Sequence, residues 1–130
     1  MSLLLLDTQL LLWAAGLPER LSAEARGLLE DAANRLAFSA ASIWEVVIKA
    51  GLGRDDFRVD ARRLRRGLLE AGYAEMAVTA EHALAMARLP ALHKDPFDRM
   101  LLAQAETEGA VLLTADAVLA RYGGAVRFVG

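Results

Sequence analysis

Five acids stand where a chain of alternating strands and helices would gather side chains at one edge: Asp7, Glu45, Asp95, Asp98 and Asp116. One at a time, each has an ordinary structural use. An Asp at a helix start accepts backbone N–H groups that have no partner within the helix. Ser42-Ile43-Trp44-Glu45 matches the capping box S-x-x-E. Asp95 and Asp98 flank Pro96 and Phe97 at a helix start, where the helix dipole favours negative charge. Together they imply something else. Several carboxylates within a few ångströms repel one another in a low-dielectric pocket, and a cation relieves that repulsion. With no cysteine and only His82 and His93, the ligand inventory is oxygen, which suits Mg²⁺ or Mn²⁺. Such a site can hold a phosphate oxygen and activate water for in-line cleavage of a phosphodiester, with no covalent protein intermediate.

The elements that must position these acids are short. Leu3–Leu6 reads as a buried strand ending at Asp7, followed by a helix over Leu10–Ala15 that stops at Gly16 and Pro18. A second helix is expected from Ser22 to about Asn34, then a strand at Leu36–Phe38 and a helix over Ser42–Ala50. Arg54–Asp60 reads as a charged loop and Ala61–Ala71 as a helix closed by Gly72. Met76–Val78 is a third apolar run, with a helix from Thr79 to Leu89. Asp95-Pro96 is the strongest start signal in the chain, a cap followed by Pro at the first helical position; that helix runs to about Glu108. Ala110–Leu113, a short helix to Tyr122 and a strand over Val126–Val129 complete the pattern. Alternating buried strands and helices predict an α/β fold, a parallel sheet of about five strands with helices on both faces. Ligands of such sheets bind beyond the carboxyl ends of the strands.

The chain has 130 residues, 55 % of them hydrophobic and 25 % charged, which excludes a disordered polymer and predicts one domain over 1–130. The missing cysteines exclude a disulfide scaffold and a thiolate zinc site. No apolar run approaches membrane-spanning length, so a soluble, cytoplasmic protein is expected. The net charge of −2 is not that of a protein binding nucleic acid by bulk electrostatics. The basic residues are uneven, however. Six of the thirteen arginines lie between Arg54 and Arg66. Arg58, Arg62 and Arg66, with Arg65, either track an RNA backbone or form a solvated face balanced by Asp55, Asp56 and Asp60. Trp13 and Trp44, each in an apolar helix, read as core or groove residues rather than stacking platforms.

Several of these pieces resemble the PIN-domain ribonucleases, and among them the VapC-type toxins of type II toxin–antitoxin modules. They are Leu-Leu-Asp7-Thr8, Ser-Ile-Trp-Glu45, His93-Lys-Asp95-Pro-Phe-Asp98-Arg99 with the following Leu-Leu-Ala-Gln-Ala, and Leu-Leu-Thr114-Ala-Asp116. They come in the family's order and span nearly the whole chain; the His-x-Asp-Pro-Phe-Asp-Arg stretch is the most specific. The resemblance implies a PIN-like three-layer sandwich and a Mg²⁺- or Mn²⁺-dependent endoribonuclease. It implies Asp7, Glu45 and Asp98 as the core catalytic, metal-holding acids and Asp116 as the fourth. Thr114 and Ser39 fall where hydroxyls support those acids. Asp95 is a helix cap with an outer contact to the site. The implied partners are an RNA substrate, a cognate antitoxin and a second copy of the chain. An antitoxin tail is expected along a groove near the acids, with a basic side chain, arginine, reaching them.

His93 reads as a residue making a structural hydrogen bond, with a general base as the alternative; His82 reads as structural or surface. A non-toxin PIN-type nuclease in RNA processing is a competing reading, as is a phosphatase or nuclease on another doubly wound scaffold. The haloacid-dehalogenase type wants a second Asp where Gln9 stands. A receiver-like signalling module wants acids before the end of the first strand and a late lysine; only Ser2 and leucines lie between Met1 and Asp7, and no lysine follows Lys94.

Overall fold

The structure, a computed structural model, describes residues 2–53 and 57–130. Five strands, β1 (Ser2–Leu6), β2 (Asn34–Ser39), β3 (Ala74–Met76), β4 (Val111–Thr114) and β5 (Val126–Phe128), form one sheet in the order β3-β2-β1-β4-β5. Every pairing is parallel. The helices are α1 (Thr8–Gly16), α2 (Ala23–Glu30), α3 (Ala40–Gly51), α4 (Ala61–Glu70), α5 (Ala80–Ala85), α6 (Pro96–Glu108) and α7 (Ala117–Ala120).

The leucine run explains the layers. Leu4 and Leu6 point to one face of β1 and pack with Leu10, Leu11, Ala25, Leu64 and Leu68 from α1, α2 and α4. Leu5 points to the other face and packs with Leu101, Leu102, Ala105 and Leu119 from α6 and α7. Phe38 and Leu113 repeat the first direction, Ala37 and Leu112 the second. A strand buried on both faces has no polar alternation, which is why β1 reads as four consecutive leucines. Each fully buried leucine contributes roughly 1.5–3 kcal/mol.

Some boundaries differ from the sequence reading. The second helix ends at Glu30 rather than Asn34. There Asp31 turns the chain, its side chain accepting from Ala33 N at 2.9 Å and its carbonyl from Asn34 N at 3.0 Å. The third strand lies at Ala74–Met76, two residues earlier than expected, with Ala37 opposite Ala74 and Ser39 opposite Met76. Gly72, at φ +93°, ends the preceding helix sharply enough for pairing to begin at once. Glu75 masked this edge strand, but its carboxylate points outward to Arg65. The expected capping box at Ser42 is absent. Ser39 caps α3 instead, accepting from Ala41 N at 3.0 Å, and Ser42 lies inside the helix. The expected Arg54–Asp60 loop falls partly outside the described residues; 57–60 have no regular structure. Among the described residues, no helix is long and apolar enough to cross a membrane.

Candidate metal centre

The strand order reverses between β1 and β4: from β1 the chain adds β2 and β3 on one side, and β4 and β5 on the other. The crevice at such a switch point is where this class of sheet places its ligands. Asp7 leaves β1 there, and Thr114 closes β4 two residues before Asp116. The cavity at this edge, about 340 Å³, is lined by Asp7, Thr8, Glu45, Lys49, Asp98 and Asp116, with Asp95, Trp13 and Phe57 around them.

Three acids carry the capping role expected of them. Asp7 accepts from Leu10 N at 2.8 Å, Asp95 from Phe97 N at 2.8 Å, and Asp116 from Val118 N at 2.8 Å. Asp98 sits in the first turn of α6. Capping does not account for Glu45. It lies in the middle of α3, 4 % exposed, and reaches the cavity. Thr8 Oγ1 donates to its Oε1 at 2.7 Å, and Lys49 Nζ stands 2.9 Å from its Oε2. Burying a carboxylate this deeply away from a helix end requires compensation, supplied here by Thr8 and Lys49.

The acids act on one another. Burial pushes the Asp98 carboxyl up to about 7, and the nearby Asp95, Asp7 and Glu45 push the same way against the pull of His93. Burial also raises Asp7; the hydrogen bonds from Thr114 and Leu10 N oppose it, while Asp116 and Glu45 add to it. Asp116 lies below the ordinary carboxylate range. Burial pushes it up, but the hydrogen bonds from His93 and the Val118 and Leu119 amides outweigh that. A carboxyl raised chiefly by burial, and further by three neighbouring acids, sits where a positive charge would be favoured. The carboxylate oxygens of Asp7, Glu45, Asp98 and Asp116 suit a hard divalent cation, and a cation is of the sign that relieves their repulsion.

His93 stands beside both Asp98 and Asp116: its Nε2 hydrogen-bonds Asp116 Oδ2 at 2.9 Å and lies 3.1 Å from Asp98 Oδ2. These three residues offer ligand-type atoms all within 4.8 Å of one another. Thr114 Oγ1 donates to Asp7 Oδ2. Ser39 serves the helix cap, and its hydroxyl bonds to Ala41 N rather than to an acid. Thr8, Ser42 and Lys49 are site residues that sequence reasoning missed. Thr8 was visible beside Asp7, and Lys49 lies at i+4 from Glu45, a spacing that pairs charges on a helix. Arg62 and Arg66 are exposed on α4, which packs against α1 and α3, and Arg65 pairs with Glu75. Arg58 directly follows Phe57 of the cavity wall. Trp44 is a groove residue, 62 % exposed and edge-on to Phe97 at 5.1 Å.

The profile of the PIN domain family matches residues 4–125, and the chain belongs to that family. No curated protein matches it by sequence. Solved structures do match. A DNA-bound VapBC from Salmonella typhimurium aligns with TM-score 0.67 and 17 % identity over 100 % of each chain. A toxin–antitoxin complex from Klebsiella pneumoniae gives 0.66 and 20 % over 97 % of each. VapBC-1 of nontypeable Haemophilus influenzae gives 0.63 and 18 % over 98 % of this chain and 96 % of that one. At these identities the likeness is one of fold.

Proposed function

We propose that this PIN domain, one unit over residues 1–130, is a Mg²⁺- or Mn²⁺-dependent endoribonuclease acting in the cytoplasm as the toxin of a type II toxin–antitoxin pair. The observation that carries the reading is the convergence of Asp7, Glu45, Asp98 and Asp116 on one cavity at the sheet's switch point, with Asp98 pushed up to about 7. The toxin assignment is supported by the VapBC and toxin–antitoxin proteins whose fold this chain shares.

The four carboxylates would hold the ion; bound there, it supplies Lewis-acid stabilisation of phosphate charge and acidifies water. The chain's own residues prepare that place. Thr114 and the Leu10 amide fix Asp7, Thr8 and Lys49 fix Glu45, and the start of α6 fixes Asp98. Asp95 caps α6 and thereby sets where Asp98 stands. Arg58, Arg62 and Arg66 are the proposed contacts to the RNA backbone. A cognate antitoxin and a second copy of the chain are the proposed protein partners.

The test is calorimetric titration of the purified protein with Mg²⁺ and Mn²⁺, paired with cleavage of a mixed RNA pool with and without chelator. Saturable binding and chelator-sensitive endonucleolytic cuts are expected. Cleavage indifferent to chelator, or no binding of either ion, overturns the reading.

A further inference from the structure

We propose that His93 is a positioning residue, a hydrogen-bond donor locked in its Nε2–H form that holds Asp116 beside Asp98, and neither a metal ligand nor a base. The proposal rests on the metal reading above for its consequence, but not for its geometry.

The lock is a backbone amide. Asp95 N–H donates to His93 Nδ1 at 3.1 Å. An amide N–H can only donate, so Nδ1 must present a lone pair, and the ring proton resides on Nε2. Nε2 hydrogen-bonds to Asp116 Oδ2 at 2.9 Å, and Asp98 Oδ2 stands 3.1 Å away as an electrostatic contact rather than a second hydrogen bond. The ring has little room to turn. The His93 amide donates to Tyr122 Oη at 3.1 Å, and that hydroxyl donates to Pro90 O at 2.8 Å. This ties the segment before α6 to the end of α7. The other histidine repeats the device: Thr79 N–H donates to His82 Nδ1 at 3.0 Å, leaving Nε2 to serve Glu108 Oε2 at 2.8 Å.

Three consequences follow. Ligation through Nε2 would move the ring proton to Nδ1, against the Asp95 N–H, so the proximity of Nε2 to two carboxylates does not make it a ligand. Nor can Nε2 accept a proton from water, because it already carries one. What it can do is hold the Asp116 carboxylate by its N–H while the same edge of the ring faces the Asp98 carboxylate, easing the repulsion between the two. The Oδ2 atoms of both acids face the ring. The spacing in His93-Lys94-Asp95 is what lets the Asp95 amide reach back to the ring. Asp95 therefore serves twice, its side chain capping α6 and its amide setting the histidine.

The experiment is ¹⁵N NMR of the histidine rings in the full chain, first without metal and then with saturating Mg²⁺. His93 is expected to carry its proton on Nε2 in both states. A proton on Nδ1 in either state overturns the proposal, as does nitrogen hyperfine coupling from His93 in the EPR spectrum of the Mn²⁺ complex. Mg²⁺ affinity of His93→Ala is expected to fall on the order of 10–100-fold, as when the partner that orients a ligand is lost. His93→Gln, which keeps an N–H donor, should recover part of it. Wild-type affinity in both variants overturns the positioning role. If the wild-type protein binds neither ion, the metal reading fails, and the metal-free ring spectrum alone decides the lock.

Discussion

Thr114 Oγ1 donates to Asp7 Oδ2 at 2.6 Å, joining the ends of the neighbouring parallel strands β1 and β4. The same hydroxyl accepts from Asp116 N at 2.9 Å. One side chain, fully buried, thus fixes two acids 109 positions apart in sequence. Thr114→Val keeps the shape and removes both bonds. It should cost about 1–3 kcal/mol, since a buried acceptor and an amide donor are left unpaired. It should also raise Asp7 further, because the lost bond is the main influence opposing burial there. Urea unfolding and Mg²⁺ titration check this; unchanged stability and affinity would show that the hydroxyl is dispensable.

The pH dependence follows from Asp98. Its folded pKa of about 7 stands above the ordinary carboxylate value of 3.8. The native state therefore holds a proton that the unfolded chain has released, and stability falls as pH rises between those values. Asp7 acts in the same direction. Asp116, held low, contributes in the opposite sense: its share is present above the ordinary carboxylate value and lost as pH falls below it. Metal-free protein should melt at a higher temperature at pH 5 than at pH 8, and saturating Mg²⁺ should diminish or reverse that difference. Mg²⁺ affinity should weaken as pH falls below about 7, because the ion must then displace the Asp98 proton. Melting curves with and without Mg²⁺ across this range provide the measurement; a metal-free melting temperature that rises from pH 5 to pH 8 contradicts it.

Asp98 and Asp95 separate charge from capping. Asp98→Asn should abolish RNA cleavage and Mg²⁺ binding while keeping the fold, because an amide tolerates a helix start but supplies no charge. It should also stabilise the metal-free protein at pH 8 by removing a repelled carboxylate. Asp95→Asn should leave stability nearly unchanged, since Asn caps as well as Asp, whereas Asp95→Ala should cost about 1 kcal/mol. Full activity in Asp98→Asn would leave the acid only a structural role.

The sheet and most of its helices were legible because their signals are local. Leu3–Leu6 ends at an acid, Pro96 follows a capping Asp, and the apolar runs recur between helices. Sequence spacing could not show which hydroxyl reaches which acid. Thr8 and Ser42, 34 positions apart, meet at 2.9 Å only because α1 and α3 pack beside each other. The S-x-x-E match at Ser42 misled because Ser39, at the end of β2, offered an earlier cap. The place of His93 beside two acids was invisible for the same reason: Asp98 is near in sequence, but Asp116 is brought to it by the β4–α7 turn. Leu10 and Leu11 are buried in the core, whereas α3 carries apolar side chains left exposed, a surplus over what the core needs.

That surplus sets the next expectation. Trp44, Val47 and Ile48 form an exposed apolar stripe at helical spacing on α3, continued by Leu52. A groove of about 450 Å³ lined by Trp44, Val78, Met86, Phe97 and Met100 adjoins it. A patch of this kind marks a partner surface, and the proposed homodimer would cover it. Trp44→Ser should shift the protein toward monomer in sedimentation velocity, with the circular dichroism spectrum unchanged. A wild-type protein that is monomeric at all concentrations, or a variant that stays dimeric, removes this face from the interface.

The last expectation concerns inhibition by the proposed antitoxin. The cavity gathers Asp7, Glu45, Asp98 and Asp116 around a single lysine. It is therefore a receptor for a cation of any kind, and a guanidinium is the side chain best matched to carboxylates, which it binds in bidentate fashion. An antitoxin arginine entering here would compete with the ion for the same charge. Two results should go together. Raising Mg²⁺ should increase the antitoxin concentration needed for half-inhibition of cleavage. Truncating that arginine to alanine should weaken the complex by about 2–5 kcal/mol, the usual cost of leaving buried charges unpaired. The converse variant, Asp98→Asn, should also bind the antitoxin less tightly, because half of the bidentate contact is lost. Inhibition that ignores Mg²⁺, together with undiminished binding by Asp98→Asn, would place the antitoxin's action away from the acids.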